Sequence, residues 1–344
     1  MVEGAGGDIE TEFLRRIASE NLVALWVARR GVDLSRPKSP AEAVIWRFDD
    51  VRPHIMAAGD VVSPEDAFRR VLVLENPAFG GEMRATNTLF ADLQLVLPGE
   101  VAPCHRHSQT ALRFVIEGVG AYTSVDGERT ALHPGDFVVT PCWRWHDHVN
   151  EGGEPVIWLD ILDTPLVDFL DTVFRENYPA PSHPNTRPDG DAPARYGAGM
   201  LPMDHEAEHP ASPVFSYPYA RSRAALEVIR RSGDLDSCLG LKMQYINPAS
   251  GGSATPTMGA FLQLLPAGFA GTAYRTTESA IYCAVEGSGQ VVIEGQALEW
   301  GPRDIFVVPG WHRHHFEADE DAILFSVSER PVQENLGLWR EERF

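Results

Sequence analysis

Two His-x-His pairs, His105/His107 and His146/His148, stand in valine-rich segments where apolar and polar residues alternate. That alternation is the pattern of a β-strand. Residues i and i+2 of a strand point to one face, so each pair aims both imidazoles the same way. Neutral imidazole is a good ligand for divalent transition metals, and two such pairs can build a metal site. An isolated His-x-His in a strand is more often structural or exposed. Here the flanking glycines and prolines weigh against that bland reading.

The spacing is Gly99, five residues, His105-x-His107, and later Gly135, five residues, Pro141, four residues, His146, three residues, Asn150. Together these resemble the two motifs of the cupin superfamily, a small β-barrel. The resemblance implies that His105, His107 and His146 converge on one divalent metal inside the barrel. Where that motif usually carries a glutamate, Ala111 and Leu112 stand. Three neutral ligands leave the full charge on the metal, which favours an anionic, chelating substrate. Histidine sites with open positions also suit ferrous iron meeting an organic ligand and dioxygen, so Fe(II) leads, with zinc and manganese behind.

A longer stretch, NTLFADLQLVLPGEVAPCHRHSQTALRF, then GDFVVTPCWRWHDH and WLDILDTPL, resembles the gentisate 1,2-dioxygenase group, which includes salicylate and 1-hydroxy-2-naphthoate dioxygenases. Those are bicupins, mainly β, with two tandem cupin (double-stranded β-helix) barrels. The likeness extends over most of the chain and is strongest from Arg69 to Pro165. It implies pocket positions at Arg69, Gln94, Arg113, His148 and Asp160, with Phe90, Asp92 and Val71 beside them where substrate preference is set. Arg113, His148 and Asp160 are the expected catalytic residues. Arg113 lies an even number of residues after His107, so a continuous strand would turn it inward, where a buried guanidinium needs an anion. That anion is a substrate carboxylate or Asp160, and both roles can coexist. By the resemblance His148 would bond the phenolic oxygen or help stabilise bound superoxide; otherwise it is a hydrogen-bonding histidine behind the ligands. Phe90 cannot donate a hydrogen bond, whereas Asp92 could bind a ring substituent such as a 5-hydroxyl.

The implied reaction opens the ring of a 2-hydroxybenzoate between its carboxyl- and hydroxyl-bearing carbons using dioxygen. Gentisate would give maleylpyruvate; a substituted salicylate or 1-hydroxy-2-naphthoate is the alternative. A different metal cupin enzyme, such as a manganese oxalate decarboxylase or a sugar isomerase, is disfavoured by the missing glutamate and the Arg113 segment. The intact first motif weighs against a non-catalytic ligand-binding bicupin.

With 344 residues the chain is long enough for two domains. A net charge of -20 opposes nucleic acid and anionic membranes as partners. No apolar run approaches the ~20 residues of a membrane span, and the N-terminus lacks a secretory pattern, so a cytoplasmic enzyme is expected. Cys104, Cys142, Cys238 and Cys283 show no C-x-x-C pairing and read as free structural thiols.

The expected domains are an N-terminal helical arm (1–68), a catalytic barrel (69–165), a helix and linker (166–232), a second barrel (233–330) and a tail (331–344). The arm should hold an amphipathic helix over 11–29 and helix starts at Ser39-Pro40 and Ser63-Pro64. Asp126-Gly127 signals a hairpin, and PLVDFLDTVFREN a helix after the first barrel. The proline- and glycine-rich residues 179–218 read as a surface excursion in which His183, His205 and His209 are solvated. A helix is then expected over YARSRAALEVIRRS. Glu286-Gly287-x-Gly289, Asp304, Pro309, Trp311 and His314 echo Glu117-Gly118-x-Gly120, Asp136, Pro141, Trp143 and His146, an internal repeat. Tyr274 and Thr276 then fall at the positions of His105 and His107. His314, like His312 and His315, is expected to be a packed relic. The family likeness also suggests a homotetramer.

Overall fold

The computed structural model describes residues 4–62, 69–206 and 209–344. Residues up to Lys38 form one compact unit and Ser39–Phe344 another. In the smaller unit the helical pattern begins earlier than expected, at Gly4–Ala18, and is not continuous. The chain turns at Asn21, whose φ of 57° is left-handed, before a short helix Leu25–Ala28. Phe13 and Trp26, both inside the helix expected over 11–29, instead meet across that turn with ring centroids 6.3 Å apart.

Ser39-Pro40 starts no helix. Ile45–Trp46 instead adds an edge strand beside Ile305–Val308, and the helix begins at Phe48. Its start is fixed from far along the chain: Asp304 accepts from the Phe48 backbone N–H at 2.9 Å and from Arg47 at 2.9 Å. A distant carboxylate at a helix N-terminus satisfies an orphan donor and complements the dipole, which no local capping pattern reveals. The helix start read at Ser63-Pro64 lies outside the described residues.

The larger unit contains two copies of one arrangement, each a pair of antiparallel sheets rather than a closed barrel. In the first copy one sheet runs, in spatial order, Ser216–Tyr217, Phe137–Thr140, Ala111–Glu117, Val156–Leu162, Phe90–Val96, Arg70–Val73. The other runs Arg175–Asn177, Val101–His107, His146–Asn150, Ala121–Val125, Glu128–Ala131. Asp126 and Gly127 join the last two with φ of 47° and 80°, the double positive φ that a two-residue hairpin requires. The second copy repeats the first: Leu241–Gln244, Gly259–Leu265, Ala322–Ser328, Ala280–Glu286 and Ile305–Val308 form one sheet, and Gln296–Trp300, Gly289–Ile293, His314–Ala318 and Tyr274–Thr276 the other. The tail strand Glu341–Arg343 pairs with Tyr274–Thr276.

The strand Ala111–Glu117 is buried on both faces, which is why its sequence is nearly all apolar. Arg113 lies on one face; Leu112, Phe114 and Ile116 lie on the other, in a core shared with Ile281, Ile323, Phe325 and Val327 of the second copy. Phe114 stacks on Phe325 with centroids 4.2 Å apart. The two copies therefore pack through the outer faces of their larger sheets, leaving each inner face to line its own interior.

The segment PLVDFLDTVFREN is a helix only over Thr164–Phe169. Asp171 takes a left-handed φ of 55°, and the chain returns as the strand Arg175–Asn177 beside Val101–His107. Tertiary pairing overrides a good local helical pattern there. The described residues of 179–218 are irregular apart from Asp191–Tyr196 and Ser216–Tyr217, yet they bury Ala192, Ala211, Val214 and Phe215. His183, His205 and His209 are half-buried rather than solvated, and His209 Nε2 lies 3.2 Å from Cys142 Sγ. The helix Tyr219–Arg230 follows as expected.

Candidate metal centre and its pocket

The strand Val101–His107 carries a bulge between Ala102 and His105, so His105 stands directly opposite His146 and Ala102 opposite His148. The bulge re-aims the first histidine pair onto the second, a common use of an extra residue near a site. His105 and His146 ring centroids are 4.3 Å apart, His107 and His146 4.9 Å, and His105 and His107 5.3 Å. One nitrogen from each lies within 4.8 Å of the others, the one such cluster among the described residues.

Each of the three Nδ1 atoms meets a backbone carbonyl: His105 that of Pro103 at 2.9 Å, His107 that of Gln109 at 2.8 Å, His146 that of Arg144 at 2.9 Å. A carbonyl only accepts, so each Nδ1 carries the proton and each Nε2 keeps its lone pair. This fixed tautomer is the usual second support of a metal-bound histidine. His146 Nε2 is wholly buried without a hydrogen-bond partner. An orphaned buried acceptor is costly, and a cation shared with its two neighbours satisfies it. Burial, reinforced by Arg69 and the neighbouring imidazoles, keeps the three rings neutral; His107 is pushed down to about 3. The residues present fit a divalent metal.

Cys104 and Cys142 are not in the cluster. Burial pushes the Cys104 thiol up to about 12 and raises Cys142, so neither offers a thiolate.

Arg113 does face the interior, though not by the parity first assumed. The chain leaves one sheet at His107 and enters the other at Ala111, and Arg113 comes in from the opposite wall. Its side chain is 1% exposed. Arg113 Nε lies 2.9 Å from Asp160 Oδ1, and Nη1 donates to Thr140 Oγ1. The Nε–H is poorly aligned on that oxygen, so the pair is an electrostatic contact with directional capacity left over. Asp160 also accepts from Trp158 Nε1 at 2.9 Å. Burial lowers the Arg113 pKa, and Asp160 and Asp92 oppose the shift.

Asp92 stands across the strands from Asp160, and its Oδ1 has no partner. Burial first and Asp160 second raise its pKa well above the usual carboxylate range. Phe90, Asp92 and Gln94 share a strand face, and Val71 pairs with Gln94. Both amide atoms of buried Gln94 lack partners. Arg69 is half-buried as a residue, but its Nε is fully enclosed. Its Nη2 lies 2.8 Å from His105 Nε2 and 3.5 Å from His148 Nε2. Burial, then repulsion from Arg113, push Arg69 down to about 9. His148 is fully buried, with Nδ1 2.9 Å from Thr123 Oγ1 and its ring against Trp158. Burial and the two arginines keep it neutral.

Every sequence-expected site residue thus lies in or beside one interior. The reading missed Trp158 and Thr140, which hold Asp160 and Arg113, and Arg175, whose strand pairs with His107. Trp158 and Asp160 share strand parity, a usable signal; Arg175 sat in an expected helix and gave none.

A cupin domain model matches residues 92–162. Over 332 residues the chain is 49% identical to gentisate 1,2 dioxygenase 1 of Aquipseudomonas alcaligenes, covering 96% of each. The chain belongs to the gentisate 1,2-dioxygenase family. It is also 36% identical to 5-aminosalicylate 1,2-dioxygenase of a Comamonas species, over 95% of this chain and 88% of that one. The crystal structure of a salicylate 1,2-dioxygenase from Pseudaminobacter salicylatoxidans superposes with TM-score 0.90 at 28% identity, over 97% of each chain. The two tandem copies are therefore the bicupin of this dioxygenase family, with its intact histidine cluster in the first.

Proposed function

We propose that this member of the family is an Fe(II)-dependent dioxygenase that opens the ring of gentisate to maleylpyruvate. The observation that carries the reading is a carboxylate-free cluster of three Nε2 lone pairs beside a buried arginine. Iron(II) held by His105, His107 and His146 would supply Lewis acidity toward the substrate's carboxylate and ortho oxygen and a redox path from ring to dioxygen.

The chain's own residues do the rest. Arg113, fixed by Asp160 and Thr140, presents a preorganised cation to the carboxylate. Arg69 adds a second positive charge beside His105 and His148, so the deprotonated substrate would meet compensating charge among buried side chains. His148, held at Nδ1 by Thr123, is neutral and offers Nε2 to the phenolic oxygen, where it can take or return that proton. Gln94, with both amide atoms available, orients the ring's hydroxyl. Asp92, whose carboxyl burial pushes toward the protonated form, could donate to or accept from a 5-hydroxyl. Both oxygen atoms enter the product, so no external reductant is consumed.

A second reading, a substituted salicylate, is supported by Phe90, which offers the ring no hydrogen bond, and by Asp92, which could accept from a 5-amino group. We further propose a cytoplasmic homotetramer; no helix among the described residues is long and apolar enough to cross a membrane. Mass spectrometry of product formed under ¹⁸O₂ tests the chemistry. Two labelled atoms, one exchangeable in a keto group, are expected with gentisate; incorporation of none rejects ring-opening dioxygenation.

A further inference from the structure

The second copy rebuilds the site's positions with other chemistry. Tyr274 stands opposite His314 as His105 stands opposite His146, with ring centroids 4.3 Å apart in both. Tyr282 pairs with Ser326 as Arg113 pairs with Asp160, and Phe261 with Ser326 as Asp92 with Asp160. Lys242 pairs with Gln263 as Val71 pairs with Gln94. The metal positions have thus lost two ligands of three, while a cation has appeared on the facing wall.

The interior is not filled. A cavity of about 210 Å³ opens among Lys242, Phe261, Tyr274, Glu278, Tyr282 and His314. Lys242 is one of only two lysines in the whole chain, which otherwise takes its cations from arginine. Its Nζ sits 4.9 Å from the Phe261 ring centroid and 5.2 Å from that of Tyr282, and it donates to Tyr282 Oη at 3.2 Å. The other charges around the opening have partners: Arg330 with Glu334 at 2.7 Å, Arg343 with Glu341 at 2.7 Å, and Glu278 accepts from Trp339 Nε1 at 2.8 Å. Among the described residues Lys242 makes no ion pair. Glu278, lining the same cavity, feels the Lys242 charge but makes no direct ion pair with it, and a half-buried ammonium outside any direct ion pair and facing a walled cavity can take an anion.

The walls limit which anion. Rings of Phe261, Tyr274 and Tyr282 favour a flat apolar body, and the carboxyl groups of Glu278 and Glu341 among the lining residues disfavour a second negative charge. The volume falls below the roughly 300–1,000 Å³ of sites for drug-sized ligands, so one ring fills it. We propose that the second cupin holds a binding site for a small aromatic monocarboxylate, its carboxylate on Lys242 Nζ and Tyr282 Oη and its ring against Phe261. The site is separate from the histidine cluster and does not depend on the ring-cleavage reading.

The scarcity of lysine makes a direct test possible. Reductive methylation of the full chain with ¹³C-formaldehyde keeps the charge and labels only Lys38, Lys242 and the amino terminus. Lys38→Arg assigns the signals. Benzoate, which lacks the ortho hydroxyl of a chelating substrate, should move the Lys242 signal saturably and leave Lys38 in place. Acetate should bind at least tenfold more weakly, and Phe261→Ala should remove most of that difference. The Lys242 shift should persist in Arg113→Met, whose first pocket no longer binds a carboxylate well. On unmodified protein, equilibrium dialysis with labelled benzoate should show one equivalent per chain fewer in folded Lys242→Met than in wild type. An unmoved Lys242 signal, equal affinity for acetate and benzoate, or unchanged stoichiometry in folded Lys242→Met would overturn the proposal.

Discussion

In the role proposed for it, Arg113 couples stability to function through one buried side chain. Removing its charge in Arg113→Met would deprive the substrate carboxylate of its proposed partner and should lower kcat/KM on the order of 100-fold, mainly through KM, in steady-state assays. It also strands Asp160, so thermal stability should fall, and adding Asp160→Asn should recover part of that loss but none of the activity. The role proposed for Asp92 is in selectivity instead. Asp92→Ala should lower the gentisate-to-salicylate ratio of kcat/KM about tenfold, because only gentisate carries the 5-hydroxyl it can bond. An unchanged ratio would remove Asp92 from recognition. At this scale the sequence was informative: motif spacing exposed the three histidines, and resemblance to relatives named their neighbours. The tautomers were not legible, because the carbonyls of Pro103, Gln109 and Arg144 that set them depend on local backbone shape. Nor was the two-sheet origin of the pocket, since parity along one strand brought Arg113 inward for the wrong reason.

Elements end where distant residues stop them. Asp163 follows the strand Val156–Leu162 and accepts from the Thr110 N–H at 2.9 Å and from Thr257 Oγ1 at 2.6 Å, tying the first copy to the second. Glu329 follows the corresponding strand Ala322–Ser328 and accepts from the Ser279 N–H at 3.0 Å. Burial raises Asp163 to about 6 and Glu329 to about 7. A raised carboxylate pKa means the folded state binds the proton more tightly than the unfolded chain. That contribution is fully present below about pH 4 and is lost as pH rises to about 6 for Asp163 and about 7 for Glu329. Each shift corresponds to ~3 kcal/mol. Chemical denaturation from pH 4 to 8 should therefore show a smaller stability decline in Glu329→Gln than in wild type, and parallel curves would contradict the assignment. The sequence marked the strands and the Asp126-Gly127 turn because those signals are local. It misplaced the helices near 19, 39 and 170, where left-handed residues, Asp304 and the partner strand Val101–His107 decide the outcome.

Across the whole molecule the internal repeat was visible as matched Glu-Gly-x-Gly, Pro and His positions, and it foretold a second cupin. It did not foretell the shared core, because alternation says that a strand has two faces but not what covers the outer one. With Phe114, Phe137 and Phe325 packed between the copies, residues 39–344 should unfold as one unit. Phe325→Ala should cost about 3–5 kcal/mol in denaturant titration, lowering one transition rather than splitting it in two. Two separated transitions in the wild type would show that the shared core is weaker than its packing implies. The two interiors differ in their side chains: one keeps three histidines and a buried arginine, while the other has Tyr274, Thr276 and Tyr282 at three of those positions and a lysine where the first copy has Val71.

The most direct test of ring cleavage loads the purified protein anaerobically with ferrous iron, adds gentisate and a known amount of dioxygen, and follows oxygen consumption beside maleylpyruvate absorbance. The account predicts one dioxygen consumed per gentisate opened, with both signals abolished in His146→Ala. Bound iron with neither oxygen uptake nor ring-opened product would contradict it.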